Sequence, residues 1–270
     1  MTRSHESEFA GVRGPVAVSE WYRGAPRYVA VVSHGYGEHI GRYQHVAEAL
    51  VRHGAAVYGP DHRGHGRTPG ERVLIEDFDE VVADLRTVVR QAEGDHPGVP
   101  VVLIGHSMGG MIAARYAQLH GSSLKALVLS GPMLGRSEGV GFLLSLEEIP
   151  DIPIDPSTLS RDPEVGAAYA ADPLVWHGPF KRPTLEAFVR CFNEINVGGP
   201  IEPPTLWVHG DADQLVPLAD TRTGIEFIRG TDFTERIYRE ARHELFNEIN
   251  KSVVIGEVLG FLDRALGAPA

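Results

Sequence analysis

Val101-Val102-Leu103-Ile104-Gly105-His106-Ser107-Met108-Gly109-Gly110 passes from four consecutive apolar residues, through a glycine-flanked serine, into residues suited to a helix. A short, continuously apolar run reads as a strand buried on both faces of a parallel sheet. Gly105 and Gly109 stand two residues to either side of Ser107, where absent side chains permit a sharp strand-to-helix turn. Such a turn lifts the serine Oγ above the sheet and directs it towards the helix N-terminal amides. The pattern Gly-x-Ser-x-Gly alone is common, and a serine capping a helix beside packing glycines is the competing reading. The preceding strand and following helix supply the context that the nucleophile reading requires.

Outward from this segment the chain keeps a strand–helix–strand rhythm. Residues 108–119 suit a helix packed on the sheet, and residues 126–129 form the next strand. Upstream, residues 29–33 and 55–58 read as strands. A helix between them carries Val46, Ala49 and Leu50 before Gly54 ends it. Residues 77–92 place Phe78, Val81, Val82, Leu85, Val88 and Val89 at three- and four-residue intervals, a one-sided helix. Residues 135–185 break the rhythm: they carry no comparable strand and several prolines, and a structureless stretch of that length is unusual in a compact domain. They read as an inserted cap with short helices near 141–148 and 162–171. The core is then split into residues 1–134 and 186–270. Strands are expected at 205–208 and 235–238, and a final helix at 251–266. Residues 1–10 are polar enough to fray, with Phe9 able to pin their end.

With 270 residues and 43% hydrophobic content, the chain can build one substantial core. Its formal charge of −11, without a basic block, argues against a nucleic-acid partner. No apolar run approaches a membrane span, and the start lacks the apolar segment of a secretion signal, so a cytoplasmic location is the default expectation. The single cysteine, Cys191, excludes an internal disulfide and agrees with a reducing compartment. Nothing in the composition bears on oligomeric state.

A serine hydroxyl needs a base in contact. His243 is the favoured base among thirteen histidines, because it follows the last strand, whose end can return beside the turn at Ser107. Asp213, just after the strand at 205–208, is the favoured acid to hold the histidine ring proton and stabilise imidazolium. Asp211 competes for that role, and either aspartate could serve only a loop or cap. The amide of Met108, at the new helix N-terminus, and that of Tyr36, after the early strand, are the candidate oxyanion donors. His34, His39, His62 and His65 lie in two separate loops and form no closed ligand set, so neither metal nor other cofactor is expected.

The order Ser107, Asp213, His243 fits the α/β-hydrolase arrangement. The chain resembles the monoacylglycerol lipase family of the α/β-hydrolases, especially its bacterial members. The resemblance rests on His34-Gly35-Tyr36-Gly37-Glu38-His39 with Arg42-Tyr43, Asp61-His62-Arg63-Gly64-His65-Gly66, and Gly105-His106-Ser107-Met108-Gly109-Gly110. It extends to Arg161-Asp162-Pro163-Glu164, Asp172-Pro173-Leu174, His209-Gly210 with Asp213, and His243-Glu244 with Phe246-Asn247-Glu248. These pieces run from His34 to Glu248, and the resemblance extends over roughly residues 8–264. The resemblance implies a mostly parallel central sheet flanked by helices with an inserted cap, and cleavage of a monoacylglycerol to a fatty acid and glycerol. It carries nucleophile, acid and base onto Ser107, Asp213 and His243 and supports Tyr36 and Met108 as oxyanion donors. It also implies that Glu38 and Arg42 organise or bind the glycerol end; the physical alternative is an ion pair that holds a loop. The family's cap shapes an acyl tunnel and meets membrane surfaces transiently. Here Glu147, Glu148, Asp151 and Asp155 flank its apolar patch and oppose strong attraction to anionic lipid. A carboxylesterase or lysophospholipase is the alternative within enzymes, and a non-catalytic small-molecule receptor on the same fold is the alternative outside them.

Overall fold

The apolar runs at the centre of the sequence pair in parallel as strands β5 (Val101–His106) and β6 (Ala126–Ser130), with Val102 opposite Ala126 and His106 opposite Ser130. The remaining strands are β1 (Arg3–Gly11), β2 (Gly14–Tyr22), β3 (Tyr28–Ser33), β4 (Ala55–Pro60), β7 (Thr205–Gly210) and β8 (Phe233–Tyr238). In this computed structural model, which describes residues 2–267, they form one sheet in the order β1-β2-β4-β3-β5-β6-β7-β8. All neighbours from β4 to β8 are parallel; β1 and β2 join antiparallel at one edge.

Among the described residues there are eight α-helices: α1 (Gln44–Arg52), α2 (Phe78–Asp95), α3 (Met108–His120), α4 (Glu138–Ser145), α5 (Pro163–Ala171), α6 (Arg182–Val197), α7 (Leu218–Ile228) and α8 (Lys251–Leu266). The continuous hydrophobicity of β5 has a direct cause. Val101 and Leu103 join a core with α2, α3, α6 and α7, while Val102 and Ile104 join the opposite core with α1 and α8. Alternate side chains thus meet different helix layers, and each is buried at a gain of about 1.5–3 kcal/mol.

The start of the chain corrects the frayed reading of residues 1–10. Met1 lies outside the described residues, but β1 pairs with β2 along its whole length, from Arg3 opposite Tyr22 to Gly11 opposite Gly14. The hairpin turn is pinned where the Val12 amide donates to Asp84 Oδ1 at 2.8 Å. An edge strand can be polar on its exposed positions because backbone pairing, not side-chain burial, holds it. The reading also passed over β2, α6 and α7. In α6, Leu185, Phe188, Phe192 and Ile195 are buried at helical spacing, so the signal was present; the helix starts before residue 185 and packs against α3 and α7.

Between β6 and β7, α4 and α5 form the helical insertion over the C-terminal edge of the sheet. The loops leaving β3, β5, β7 and β8 at that edge carry Tyr36, Ser107, Asp213 and His243, as expected for an open parallel sheet.

Candidate active site

Ser107 occupies the turn between β5 and α3 with φ 55° and ψ −120°, a left-handed conformation costly for a residue with a side chain. The surroundings impose it. The Ser107 amide donates to the Ser130 carbonyl at 2.9 Å, and its own carbonyl accepts from Gly110, Met111 and Met133 at 2.9, 3.1 and 3.1 Å. The flanking glycines are required by close approach: a Cβ on Gly105 would lie 2.3 Å from the Gly109 carbonyl oxygen, and one on Gly109 only 2.1 Å from that of Ser33.

Met108 is the first residue of α3, so its amide has no acceptor within the helix. The Tyr36 amide lies in the loop after β3, which presses against the turn; a Cβ on Gly35 would sit 3.2 Å from the Ser107 Cβ. Buried groups shape that loop. His34 donates from Nδ1 to the Gly35 carbonyl at 2.8 Å and accepts at Nε2 from the His62 amide at 3.0 Å. Burial holds His34 below the ordinary histidine pKa, consistent with a neutral, structural ring. His39 instead pairs with Asp172 at 2.8 Å, and His65 donates to the Arg63 carbonyl at 2.9 Å. The rings of His62 and His65 gather around that of His34, at 4.4 and 5.5 Å between centres, and His62 Nε2 meets the Ser33 hydroxyl at 2.9 Å. Among the described residues, no group of three His, Cys, Asp or Glu side chains is arranged to hold a metal.

His243, in the loop between β8 and α8, donates from Nδ1 to Asp213 Oδ2 at 2.7 Å. The other Asp213 oxygen accepts from the amides of Leu215 and Val216 at 3.0 and 2.9 Å, which fixes the carboxylate. Asp211 faces elsewhere and accepts from the Glu240 amide at 2.6 Å. The geometry thus separates the two aspartates: Asp213 orients the ring and Asp211 braces a turn. Burial pulls the His243 pKa down, but the Asp213 charge and hydrogen bond, with help from Glu244 and Glu38, outweigh it and raise the group above an ordinary histidine. Burial pushes Asp213 up, and the His243 and His209 interactions reverse this and hold it well below the usual carboxylate range. The neighbouring His106 ring, 4.7 Å from that of His243, is pushed down to about 3 by burial and stays neutral.

Ser107 and His243 open onto one cavity of about 430 Å³. Tyr36, Met133, Val140, Phe180, Leu185 and Phe188 give it an apolar wall, with Tyr36 and Phe180 stacked at 4.6 Å between ring centres. Glu38, Arg42, Tyr169 and Glu244 make its polar end. Glu38 and Arg42 do form an ion pair, at 2.6 Å, but it is not merely local: Arg42 also grips Glu244, next to His243. Sequence reasoning assigned no role to Glu244, Glu248 or Tyr169. Their only sequence signal was membership of quoted motifs, or proximity to one. Glu248 accepts from Arg161 Nε at 3.0 Å and from the Arg242 amide at 2.8 Å, and so binds the insertion to the loop of His243.

A family model described as "Serine aminopeptidase, S33" matches residues 24–250. The chain is 40% identical over 273 residues to the monoacylglycerol lipase of Mycolicibacterium smegmatis, covering 97% of each chain. It is 33% identical over 237 residues to the monoglyceride lipase of Rattus norvegicus, covering 84% of this chain and 78% of that one. Among solved structures, a thermostable carboxyl esterase from Bacillus coagulans in complex with glycerol superposes with a TM-score of 0.82 at 24% identity, covering 98% of this chain and 99% of that one; this likeness bears on the fold.

Proposed function

The chain belongs to the monoacylglycerol lipase-like family within the α/β-hydrolase superfamily, and from that premise we propose that it cleaves monoacylglycerols to a fatty acid and glycerol through an acyl-enzyme on Ser107. The observation that carries this reading is the buried His243–Asp213 pair, 2.7 Å apart, opening with the strained Ser107 onto one cavity that is apolar along its wall and polar at one end.

In the first stage His243 Nε2 takes the Ser107 proton as Oγ attacks the ester carbonyl carbon. The Nδ1–H bond to Asp213 fixes the tautomer that leaves Nε2 free to accept, and the carboxylate stabilises the imidazolium that forms. The amides of Tyr36 and Met108 receive the developing oxyanion; a donor of this kind is worth about 10²–10³ in kcat. Collapse of the tetrahedral intermediate breaks the ester C–O bond, and His243 returns its proton to the departing glycerol oxygen. Water, deprotonated by His243, then attacks the acyl carbonyl; collapse releases the fatty acid and restores Ser107. The apolar wall holds the acyl chain, and Glu38 and Arg42 organise the end that receives glycerol.

A release assay over monoacylglycerols of several chain lengths, short water-soluble esters and lysophospholipids tests the assignment. Medium- and long-chain monoacylglycerols are expected to give the highest kcat/KM. Efficient turnover of another class with monoacylglycerols hardly cleaved overturns it.

A further inference from the structure

Both residues that flank His243 are tied to the insertion. On one side, the half-buried Arg242 donates from Nη1 to the backbone carbonyls of Ser157 and Ser160, the latter at 3.0 Å. On the other, the Glu244 amide donates to the Leu159 carbonyl at 2.8 Å. The turn 157–160 is therefore held to the loop of the base on both sides of the imidazole. The guanidinium bonds are charge-assisted and so the stronger part of this attachment. Arg242 is anchored in turn, since its own amide donates to the buried Glu248 carboxylate at 2.8 Å.

The same turn faces the cavity. Ile154, Thr158 and Leu159 line it together with His243. Leu159, Tyr169 and Val175 form a small apolar cluster separate from the two main cores, and Ile154 and Leu215 pack against it. Leu215 is a residue whose amide holds Asp213 Oδ1, at 3.0 Å. One stretch of the insertion thus offers apolar side chains to the cavity, backbone carbonyls to the loop of the base, and packing to the loop of the acid.

Resting on the reading of Ser107 as the nucleophile, we propose that Arg242 is a positioning residue that couples the acyl chain to the base. A chain packed against Ile154 and Leu159 steadies the turn 157–160, and Arg242 passes that restraint to His243. Contacts made far from the reacting carbonyl raise kcat only when they are spent on alignment at the reacting centre. Without Arg242 the chain still binds, and its contacts count in KM alone.

The test measures kcat and KM for 4-nitrophenyl esters from butyrate to decanoate, below their aggregation concentrations, in the wild-type protein, Arg242→Ala and Arg242→Lys. In the wild-type protein kcat should rise with acyl length. Arg242→Ala should flatten that rise and lower kcat on decanoate by about tenfold, with little change in KM, because a small misplacement of the base is enough. Arg242→Lys keeps a charged donor within reach of the carbonyls and should restore part of the rise. The low-field proton resonance of the His243–Asp213 bond should broaden in Arg242→Ala and sharpen again in Arg242→Lys. A wild-type kcat indifferent to acyl length overturns the proposal without recourse to any variant. So does a folded Arg242→Ala that keeps the rise, loses kcat equally at every length, or leaves the resonance unchanged. Should Arg242→Ala not fold, Arg242→Gln, which lacks the charge, is read in the same way. The series contains no glycerol, so turnover of these esters with monoacylglycerols refused would remove the monoacylglycerol assignment while leaving the coupling readable.

Discussion

The Nδ1 of His243 stands 2.7 Å from Oδ2 of Asp213, with both side chains almost wholly removed from solvent. The pair stabilises the protonated ring, so its pKa lies above the ordinary histidine value. A general base must be neutral. Activity is therefore expected to appear as pH rises through that raised pKa, and the acid limb of kcat/KM should have its midpoint above about 6.5. Glu244 adds to the upward shift, so Glu244→Gln should move the limb to lower pH. The stability contributions have their own signs. The raised His243 pKa stabilises the fold below the unfolded histidine value, and that contribution is lost as pH rises through the folded one. The lowered Asp213 pKa stabilises above the unfolded carboxylate value and is lost as pH falls through the folded one. A pH–rate profile checks the first claim; a limb centred at or below the ordinary histidine value contradicts it.

The two aspartates after β7 have different duties, one bonded to the His243 ring and the other to the Glu240 amide. Asp213→Asn is expected to lower kcat by about 10⁴, because the ring loses its tautomer control and its counter-charge. Asp211→Asn can still accept from the Glu240 amide and should change kcat only slightly. Steady-state kinetics on the two variants distinguish them, and a larger loss in Asp211→Asn would reverse the assignment.

Much of the sheet was legible because its strands are buried on both faces and written as unbroken apolar runs, as at 101–104. The turn at Ser107 was legible because close approach leaves only glycine at 105 and 109. The strand β1 was not, since a polar edge strand such as Arg3–Gly11 has the composition of a frayed end and owes its order to backbone pairing with β2. The choice between Asp211 and Asp213 needed three dimensions: the residues are two apart, and only the loop's path decides which meets the imidazole. Glu244 and Glu248 were hidden for a related reason. A lone glutamate in sequence reads as surface; here both are buried by arginines that lie 202 and 87 residues away.

Gly109 lies so close to β3 that a methyl group has no room, with the Ser33 oxygen 2.1 Å from the position a Cβ would take. The obstacle is backbone and cannot rotate away. Gly109→Ala should cost at least about 1–3 kcal/mol of stability, and it should lower kcat as well by displacing the turn that carries Ser107. Denaturant unfolding alongside kinetics checks this; wild-type stability with wild-type activity would refute the packing argument.

Glu248 has a fully buried carboxylate that accepts from Arg161, from the Arg242 amide and from the Ile249 amide. Glu248→Ala leaves Arg161 without its inner partner and several donors unmet. Losing one partner of a buried pair costs about 3–5 kcal/mol, and Arg161 is partly exposed, so the expected loss falls towards the lower end. Chemical denaturation measures it, and a change below about 0.5 kcal/mol, the range of ordinary surface substitutions, would contradict the anchoring role.

The central claim is that Ser107 is the acylated nucleophile of a monoacylglycerol-cleaving enzyme. Labelling the intact protein with a long-chain alkyl fluorophosphonate, followed by peptide mapping, tests it most directly when monoacylglycerol turnover is followed in parallel. The account predicts one adduct per chain, on the peptide containing Ser107, with turnover lost in proportion to labelling. An adduct on another residue, or monoacylglycerol hydrolysis that persists once Ser107 is fully labelled, would contradict it.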